Sequence, residues 1–376
     1  MLTEPPICIT MKITVPINKV EEAGPLIEAG ADEFYCGVYR SDWFSTGGLP
    51  NVKPISRASL KSFDDLGRVV RTADKHRIPV YLALNAGYMF ANTYSLVKED
   101  LENALNSGVS GFIVSDVSLI KEIRRKCPDK RIILSTLGNC FNVETVSFFN
   151  DLGVDRVVLP RDLSLRELER LYNELKRKNL DVTLEFFVRN LVCRNVNGFC
   201  RYHAILPQYK SRLLMNRIAR RLIHALTALS PYLFAKYLTF LRKRIDSSPL
   251  KRTCLLPYRA VFTSRSDNSG ETINPFLIGE PYEQICAACG IFYFKKFGIE
   301  YLKINGRWLP TETKISDVKF IAALRDLLRG QPASFDEFFS RAQEIHHKTY
   351  GVGCLPAECH YPCFVKKRME AGANGA

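Results

Sequence analysis

Eight short apolar runs rich in β-branched residues alternate with amphipathic stretches along this chain, and this alternation constrains the fold more than any other feature. The runs occupy residues 13–17, 33–38, 79–84, 111–115, 131–135, 156–160, 182–188 and 300–304. The stretches with helical spacing occupy residues 19–29, 61–76, 95–107, 117–126, 142–151, 165–178 and 316–329. Near-continuous apolar runs are typical of strands buried on both faces of a parallel sheet. The pattern predicts an α/β fold, a TIM-like (β/α)8 barrel with insertions.

An open, doubly wound sheet is the alternative fold for the same pattern. Such a sheet is expected to carry Gly-x-Gly-x-x-Gly after its first strand, and the sequence has no such motif there. Glycine also closes several predicted helices just before the next strand, at Gly30, Gly108, Gly153 and Gly298. Glycine adopts the left-handed conformation at helix ends without strain, so these positions support the predicted boundaries.

The composition is that of a globular protein, with 46% hydrophobic and 24% charged residues. No uninterrupted apolar run reaches the roughly 18 residues that a transmembrane helix needs. Residues 1–6 lack a basic stretch followed by an apolar one, so no secretory signal is expected. We therefore expect a cytoplasmic protein, in which the 12 cysteines are reduced rather than disulfide-bonded.

A basic segment interrupts the barrel pattern between the seventh and eighth runs. Residues 201–253 hold twelve lysines or arginines and one acidic residue, Asp246, in a chain whose net charge is +14. Leucines and aromatic residues recur at helical spacing on both sides of Ser230-Pro231, which predicts a basic amphipathic helical hairpin. The predicted organisation is a first part of the barrel over residues 1–200, the basic insertion over 201–253, barrel completion over 254–330 and a Cys-rich C-terminal extension over 331–376.

The predicted hairpin has several interpretations that the sequence leaves open. One interpretation is a solvated helix pair that packs on the barrel. The others are a contact with RNA, with a membrane surface or with a partner protein. Its aromatic residues interleave with leucine, and an apolar face with a basic rim suits an anionic lipid surface or a hydrophobic partner. We therefore rank RNA below these two for residues 201–253, and expect the cytoplasmic protein to associate peripherally with a membrane surface.

Four cysteines are expected to converge at one end of the barrel. Cys193 and Cys200 follow the seventh run. Cys254 follows the basic segment, and Cys286 precedes the eighth run. Four thiolates from separate loops can hold an iron–sulfur cluster or a zinc ion. Zinc sites more often use closely spaced cysteine pairs, and the radical-SAM spacing Cys-x3-Cys-x2-Cys is absent, so the residues alone leave both metals open.

The tail is also dense in cysteine. Cys354, Cys359 and Cys363, taken with Cys289, make a second set of four. We predict a second iron–sulfur or zinc centre here, in which His360 replaces one thiolate if the metal is zinc. The alternative is a group of reduced thiols that caps the barrel.

Two stretches resemble a known family. Residues 185–193 read Glu-Phe-Phe-Val-Arg-Asn-Leu-Val-Cys, with a second cysteine at position 200. Residues 302–307 read Leu-Lys-Ile-Asn-Gly-Arg. Together these resemble the signature of peptidase family U32, the collagenase-like peptidases. The chain departs from that signature at Arg189-Asn190, where the family commonly has His-Gly, and at Asn305, where it commonly has Glu. The cysteines are kept while residues near them differ, which indicates a substrate other than that of the best-known family members.

The resemblance implies a cofactor and a reaction. In that family a 4Fe-4S cluster is bound by cysteines matching Cys193, Cys200, Cys254 and Cys286. Several members act in oxygen-independent hydroxylation of RNA bases or ubiquinone precursors, with prephenate as a proposed oxygen donor. The resemblance also implies proteolysis, the family's older label. A second U32-family subunit is a further expected partner.

Two polar residues at the predicted strand ends are the candidate catalytic groups. Glu185 lies within the seventh run, and Arg161 ends the sixth. A buried carboxylate is costly unless paired, so Glu185 either forms an ion pair with Lys303 or Arg307 or acts near the cluster. Arg161 either pairs with a neighbouring aspartate or binds a substrate carboxylate.

These features together predict an iron–sulfur redox enzyme that hydroxylates an aromatic substrate, a quinone precursor or an RNA base. The alternatives are a peptidase and a non-catalytic iron–sulfur subunit that recruits a partner through residues 201–253. The sequence lacks His-Glu-x-x-His and Gly-x-Ser-x-Gly, and none of its 6 histidines follows a predicted core strand. The absence of these patterns favours redox chemistry over proteolysis.

The basic insertion generates the first testable prediction. The protein is expected to sediment with lipid vesicles in an amount that rises with their anionic lipid content, because each basic side chain near such a surface contributes about 1 kcal/mol. Deleting residues 205–250 should abolish this sedimentation. Binding to RNA but not to vesicles at the same salt, with a steep salt dependence, would reverse the ranking of partners.

Overall fold

The computed structural model describes residues 11–40, 42–43, 58–86, 89, 91–190, 285–354 and 359–361. The basic insertion and Cys193, Cys200, Cys254 and Cys363 lie outside these residues. Within the described part, no helix is long and apolar enough to cross a membrane.

Eight parallel strands form a closed barrel in which each strand pairs with the next and β8 pairs with β1. The strands are β1 Lys12–Pro16, β2 Glu33–Cys36, β3 Val80–Leu84, β4 Gly111–Val114, β5 Arg131–Leu134, β6 Arg156–Val158, β7 Thr183–Arg189 and β8 Ile299–Ile304. This topology confirms the predicted (β/α)8 fold and excludes the open sheet. The pairing of β7 with β8 is irregular between Phe187 and Arg189, which changes the direction of the β7 side chains at its end.

The helices surround the barrel in the order that the sequence predicts. They are α1 Ala23–Glu28, α2 Phe63–Asp74, α3 Tyr94–Asn106, α4 Val117–Lys126, α5 Val143–Asp151, α6 Leu165–Arg177, α7 Ile291–Phe294, α8 Thr311–Arg329 and α9 Phe335–Tyr350. Helix α8 begins earlier than predicted, and neither α7 nor α9 is among the predicted helical stretches. Helix α9 packs on α8 through the rings of Phe320, His346 and Tyr350, with Phe320 5.4 Å from each of the other two.

Helix α6 shows how the local sequence sets these elements. Its leucines at positions 165, 168, 171 and 175 follow helical spacing and are all buried against the barrel. Ser164 precedes the helix, and its hydroxyl accepts the backbone N–H of Glu167, while the Glu167 carboxylate accepts the N–H of Ser164. This reciprocal pair satisfies two amides that the first turn leaves without helical partners.

The barrel interior contains buried charges as well as apolar side chains. The Arg156 guanidinium donates to both carboxylate oxygens of Glu33, one at 3.0 Å, and to Glu185 at 3.1 Å. Its carbon lies 3.3 Å from the centre of the Tyr301 ring. The Thr14 hydroxyl donates at 2.7 Å to Oε1 of Glu33, which also accepts from Arg156. Each carboxylate is therefore paired, as burial of a charge requires.

The structure predicts a sharp difference between two glycine substitutions. Gly298 has a φ of +65°, and an added Cβ would lie 2.4 Å from the ring of Tyr172. Gly298→Ala should therefore lower the free energy of unfolding by about 1–3 kcal/mol, measured by urea denaturation. Gly24→Ala is the control, because nothing lies within 4 Å of its added Cβ and alanine suits a helix. Equal stability of the two variants would contradict the strained turn at Gly298.

Candidate active site

The candidate site lies at the carboxyl-terminal end of the barrel, where loops leave the strands. TIM barrels place their active sites at this end because residues from many strands meet there. Polar residues that follow strands in the described part include Asn85 after β3, Ser135 and Asn139 after β5, Arg161 after β6, Asn190 after β7 and Arg307 after β8. We call this region the barrel mouth.

Glu185 forms the base of the site rather than part of its rim. It is fully buried and accepts hydrogen bonds from Lys303 at 2.5 Å and Arg156 at 3.1 Å. The ion pair with Lys303 that the sequence left open is therefore present. Burial alone would raise the pKa of Glu185, but Lys303 and Arg156 outweigh it and lower that pKa below its usual range. The carboxylate stays ionised and fixes Lys303; its predicted catalytic role stays a prediction.

Lys303 and Tyr35 form the next layer above Glu185. The Lys303 ammonium lies 4.2 Å from the centre of the Tyr35 ring, and the Tyr35 hydroxyl donates to the carbonyl of Ile304 at 2.9 Å. Burial raises the pKa of Tyr35 well above its usual value. Tyr35 is therefore a neutral wall of the site at physiological pH.

Two arginines add positive charge at the mouth. The Arg161 guanidinium lies 4.9 Å from the centre of the Phe187 ring, which points into the barrel. Arg307 is only 4% exposed, and its burial lowers its pKa, an effect that Tyr35 and Cys36 partly offset. With Lys303, these groups make the mouth a place that suits an anionic ligand.

The loops after β3 and β5 contribute amide oxygens. The Asn85 amide donates to the Ser135 hydroxyl at 2.9 Å, which leaves the Asn85 Oδ1 buried without a hydrogen-bond partner among the described residues. Asn139 adopts a left-handed backbone with φ 55°, and its buried Oδ1 also has no partner in this part of the chain. An acceptor left unsatisfied in this way costs folding free energy that a bound ligand can recover.

Cys286 lies beside the end of β7. Its backbone pairs with that of Arg189 and with that of Cys359 from the tail. The amide of Ala288 points at the Cys286 sulfur over 3.4 Å, and the Arg189 side chain also hydrogen-bonds to Cys286. Hydrogen bonds to a cysteine sulfur are typical of the groups that surround and orient a metal ligand.

Arg189 is held in place by a buried network on the outer side of the barrel. Its Nε donates to Asp317 on α8 at 2.9 Å, and its guanidinium carbon lies 4.8 Å from the centre of the Tyr350 ring on α9. The Tyr350 hydroxyl donates to the same carboxylate at 2.7 Å, and Asn190 donates to its other oxygen at 2.9 Å. Arg189 therefore connects the cysteine to both C-terminal helices.

Cys286 of the first predicted set lies near three cysteines of the second, Cys289, Cys354 and Cys359. Burial raises the pKa of Cys289 well above its usual value, and the nearby thiols of Cys286, Cys359 and Cys354 raise it further. Yet among the described residues no three His, Cys, Asp or Glu side chains are arranged to hold a metal ion. Both metal centres stay predictions, because the other four predicted ligands lie outside the described residues.

The structure brings one residue to the mouth that the sequence did not place there. His360 was considered only as a zinc ligand of the tail. Its ring contacts the backbone of Arg161, and burial together with the Arg161 charge lowers its pKa to about 4. The tail is far from β6 in sequence, so no local pattern could have predicted this contact.

Comparison with known proteins gives a consistent result. The sequence profile described as Peptidase family U32 matches residues 18–213, slightly more than half of the chain. "tRNA hydroxylation protein P" of Escherichia coli (strain K12) is 32% identical over 120 residues, which are 32% of this chain and 25% of that protein. "tRNA hydroxylation protein P1" of Bacillus subtilis (strain 168) is 31% identical over 191 residues, 50% of this chain and 41% of that protein.

A third relative has a name of a different kind. A protein of Methanocaldococcus jannaschii named as an uncharacterized protease is 26% identical over 194 residues, which are 51% of this chain and 44% of that protein. The chain thus matches less than half of the length of each of these three relatives.

The paired state of Glu185 predicts how stability depends on pH. A lowered pKa in the folded state contributes stability that is present above the unfolded value, roughly pH 4.3, and is lost as the pH falls through the folded value. Glu185→Gln should lower the free energy of unfolding at pH 7 by about 3 kcal/mol, since it leaves the buried Lys303 without its carboxylate and takes one of two carboxylates from Arg156. The deficit should be constant from about pH 8 to 5 and shrink below about pH 4.

Urea denaturation across this pH range measures the effect. Glu144→Gln is the control, because that carboxylate pairs with Lys178 at the surface and is 73% exposed. Its substitution should change stability by less than about 1 kcal/mol. A pH-independent deficit in Glu185→Gln would show that folding does not shift the pKa of Glu185. A deficit that shrinks as the pH rises above about 5 would show that the buried carboxyl is protonated in the folded protein.

Proposed function

Because this chain belongs to peptidase family U32, we propose that it acts as an RNA hydroxylase of that family rather than as a peptidase. The observation that carries the proposal is the chemistry of the barrel mouth. Buried cations, Lys303 and Arg307, lie there with Arg161, beside amide oxygens that lack partners among the described residues. Cations suit phosphate or carboxylate groups, and the oxygens suit the N–H groups of a base.

The names of the relatives support the same reaction class. Two of the relatives described above are named for hydroxylation of tRNA. The sequence left two substrates open, a quinone precursor and an RNA base. The names of these relatives favour the RNA base. Since the chain matches only part of each of them, the substrate is proposed here and not transferred.

The described cysteines argue against a thiol peptidase. A nucleophilic cysteine needs a lowered pKa, usually through a neighbouring histidine. Burial instead raises the pKa of Cys36 and of Cys140 to about 12, and that of Cys289 well above its usual value. None of these three thiols is activated. The peptidase alternative keeps the support of one relative's name, so the experiment below includes it.

A 4Fe-4S cluster is proposed as the redox group. Cys193, Cys200, Cys254 and Cys286 would hold it, and Cys286 is the member of this set that the structure describes. The fit is good at that residue, because its sulfur accepts from an amide and lies beside Arg189. When bound, such a cluster supplies one-electron chemistry. A second iron–sulfur or zinc centre involving Cys289, Cys354, Cys359 and Cys363 is a separate proposal.

The chain's own residues prepare the site for this reaction. Glu185 fixes the Lys303 ammonium beneath the mouth, and Tyr35 covers it as a neutral wall. Arg161 and Arg307 would bind the carboxylate of an oxygen donor or a phosphate of the RNA. For residues 201–253 we keep the proposal of a membrane surface or a partner protein, including a second U32 subunit, ahead of RNA.

Iron content tests the cofactor. Protein purified without oxygen is expected to be brown and to contain about four irons, and Cys193→Ala or Cys286→Ala should remove most of them. Cys127→Ser is the control, because this cysteine lies at the end of α4, away from the mouth. Full iron in both alanine variants would refute the ligand assignment, and zinc without iron would refute the redox proposal.

RNA modification tests the reaction. Cells that express the protein are expected to gain tRNA nucleosides heavier by one oxygen atom, detected by mass spectrometry. Arg161→Met should reduce this gain about 10- to 100-fold through the loss of a charged contact. Arg177→Met is the matched control, since that side chain is 76% exposed on α6. Gelatin cleavage by iron-free protein, with no RNA modification, would support the peptidase instead.

A further inference from the structure

The C-terminal tail returns to the barrel and places one imidazole at its mouth. Cys359 pairs through its backbone with Cys286, and the backbone N–H of His360 donates to the Cys286 carbonyl at 2.8 Å. The His360 ring packs edge-on against Tyr361, with the ring centres 4.6 Å apart. These contacts fix the position of the ring relative to β6 and β7.

The His360 ring is buried, and only one of its two nitrogens has a hydrogen-bond partner among the described residues. The side chain is 7% exposed. One ring nitrogen donates its N–H to the backbone carbonyl of Arg161, and Nε2 has no hydrogen-bond partner among the described residues. Nδ1 is therefore the donor, and this bond fixes the tautomer. A neutral imidazole protonated at Nδ1 presents a lone pair at Nε2, so that atom is an acceptor.

The surroundings of Nε2 indicate what kind of group it would bind. The mouth already offers donors through Arg161 and Arg307, which suit anionic oxygens. The mouth also holds buried acceptors without a described partner. They include His360 Nε2 beside the end of β6, and Asn85 Oδ1, Asn139 Oδ1 and Asn190 Oδ1, which follow β3, β5 and β7. Acceptors need a ligand that donates. In RNA the phosphates only accept, so donors come from the N–H groups of the bases and from the ribose hydroxyl.

We propose that His360 Nε2 accepts a hydrogen bond from an N–H group of the base that enters the barrel mouth. The proposal rests on the proposed function and deepens it, because it assigns a specificity-determining contact to a tail residue. The contact selects bases that carry an N–H at the edge facing β6. A base with that N–H methylated would leave the buried Nε2 unpaired and clash with it.

Nucleotide binding to the full-length protein tests the contact. The probes are uridine monophosphate with its N3-methyl form, and cytidine monophosphate with its N4,N4-dimethyl form, in which no base N–H remains. The protein is expected to bind the unmethylated form of at least one of them about tenfold more tightly than its methylated form. His360→Ala should abolish that preference. His346→Ala is the matched control, because this histidine is equally buried but bonds to Val352 within the C-terminal helices.

Small-molecule rescue separates the hydrogen bond from simple packing. Imidazole added to His360→Ala should restore the preference, whereas pyrrole should not. Pyrrole fills the same space and can donate to the Arg161 carbonyl, but it has no nitrogen lone pair to accept. Equal rescue by both would show that the ring only fills space and would overturn the proposal. A loss of affinity with the deoxyribose nucleotide but not with the methylated base would overturn it in favour of the ribose hydroxyl.

Two further results separate this inference from the proposed function. Nitrogen NMR of histidine-labelled protein should show Nδ1 of His360 protonated and Nε2 unprotonated at pH 7, with the resonances assigned by their absence in His360→Gln. A protonated Nε2 overturns the inference whatever the reaction is. If tRNA is hydroxylated equally by wild type and His360→Ala, the inference about His360 fails and the proposed hydroxylase function stands. If no nucleotide binds and no RNA is modified, both fail.

Discussion

Paired charges inside the barrel are the interaction on which the rest of this structure depends. Glu33, Arg156, Glu185 and Lys303 come from β2, β6, β7 and β8 and link these strands through buried hydrogen bonds. Removing one partner from such a chain leaves an uncompensated charge, which is far costlier than the pair itself. The ion pairs between these strands therefore fix the position of Lys303 beneath the mouth. The positive charge that Lys303 contributes to the mouth is fixed with it.

Buried polar atoms at the two ends of the barrel differ in how completely they are hydrogen-bonded. Toward the amino-terminal end, Glu33 is bonded to Thr14 and Arg156. At the mouth, Asn85, Asn139 and His360 each keep a buried acceptor without a partner in the described residues. A fold tolerates such atoms where a ligand completes them. The amino-terminal end of the barrel thus contributes stability, and the carboxyl-terminal end carries the groups suited to binding, as in other TIM barrels.

The C-terminal helices take part in the site as well as in the fold. Helices α8 and α9 supply Asp317 and Tyr350, which hold Arg189 against Cys286. The tail beyond them returns through Cys359 to place His360 beside Arg161. Any cofactor held by Cys286 would therefore be sensitive to the packing of a segment that follows the barrel in sequence.

The sequence by itself determined the α/β class and favoured the barrel, because near-continuous apolar runs suit strands buried on both faces of a parallel sheet and Gly-x-Gly-x-x-Gly is absent. The tertiary structure decided that the sheet closes. The sequence also placed Glu185 within the seventh strand and Arg161 after the sixth, since strand direction alone orders those positions. It could not decide that Glu185 is ion-paired with both Arg156 and Lys303, or that His360 reaches the mouth. Those contacts join residues separated by 29 and 118 positions within the barrel, and a tail to β6. Only the closed tertiary structure brings them together, because side-chain pairing across a barrel depends on strand register, which local spacing does not encode.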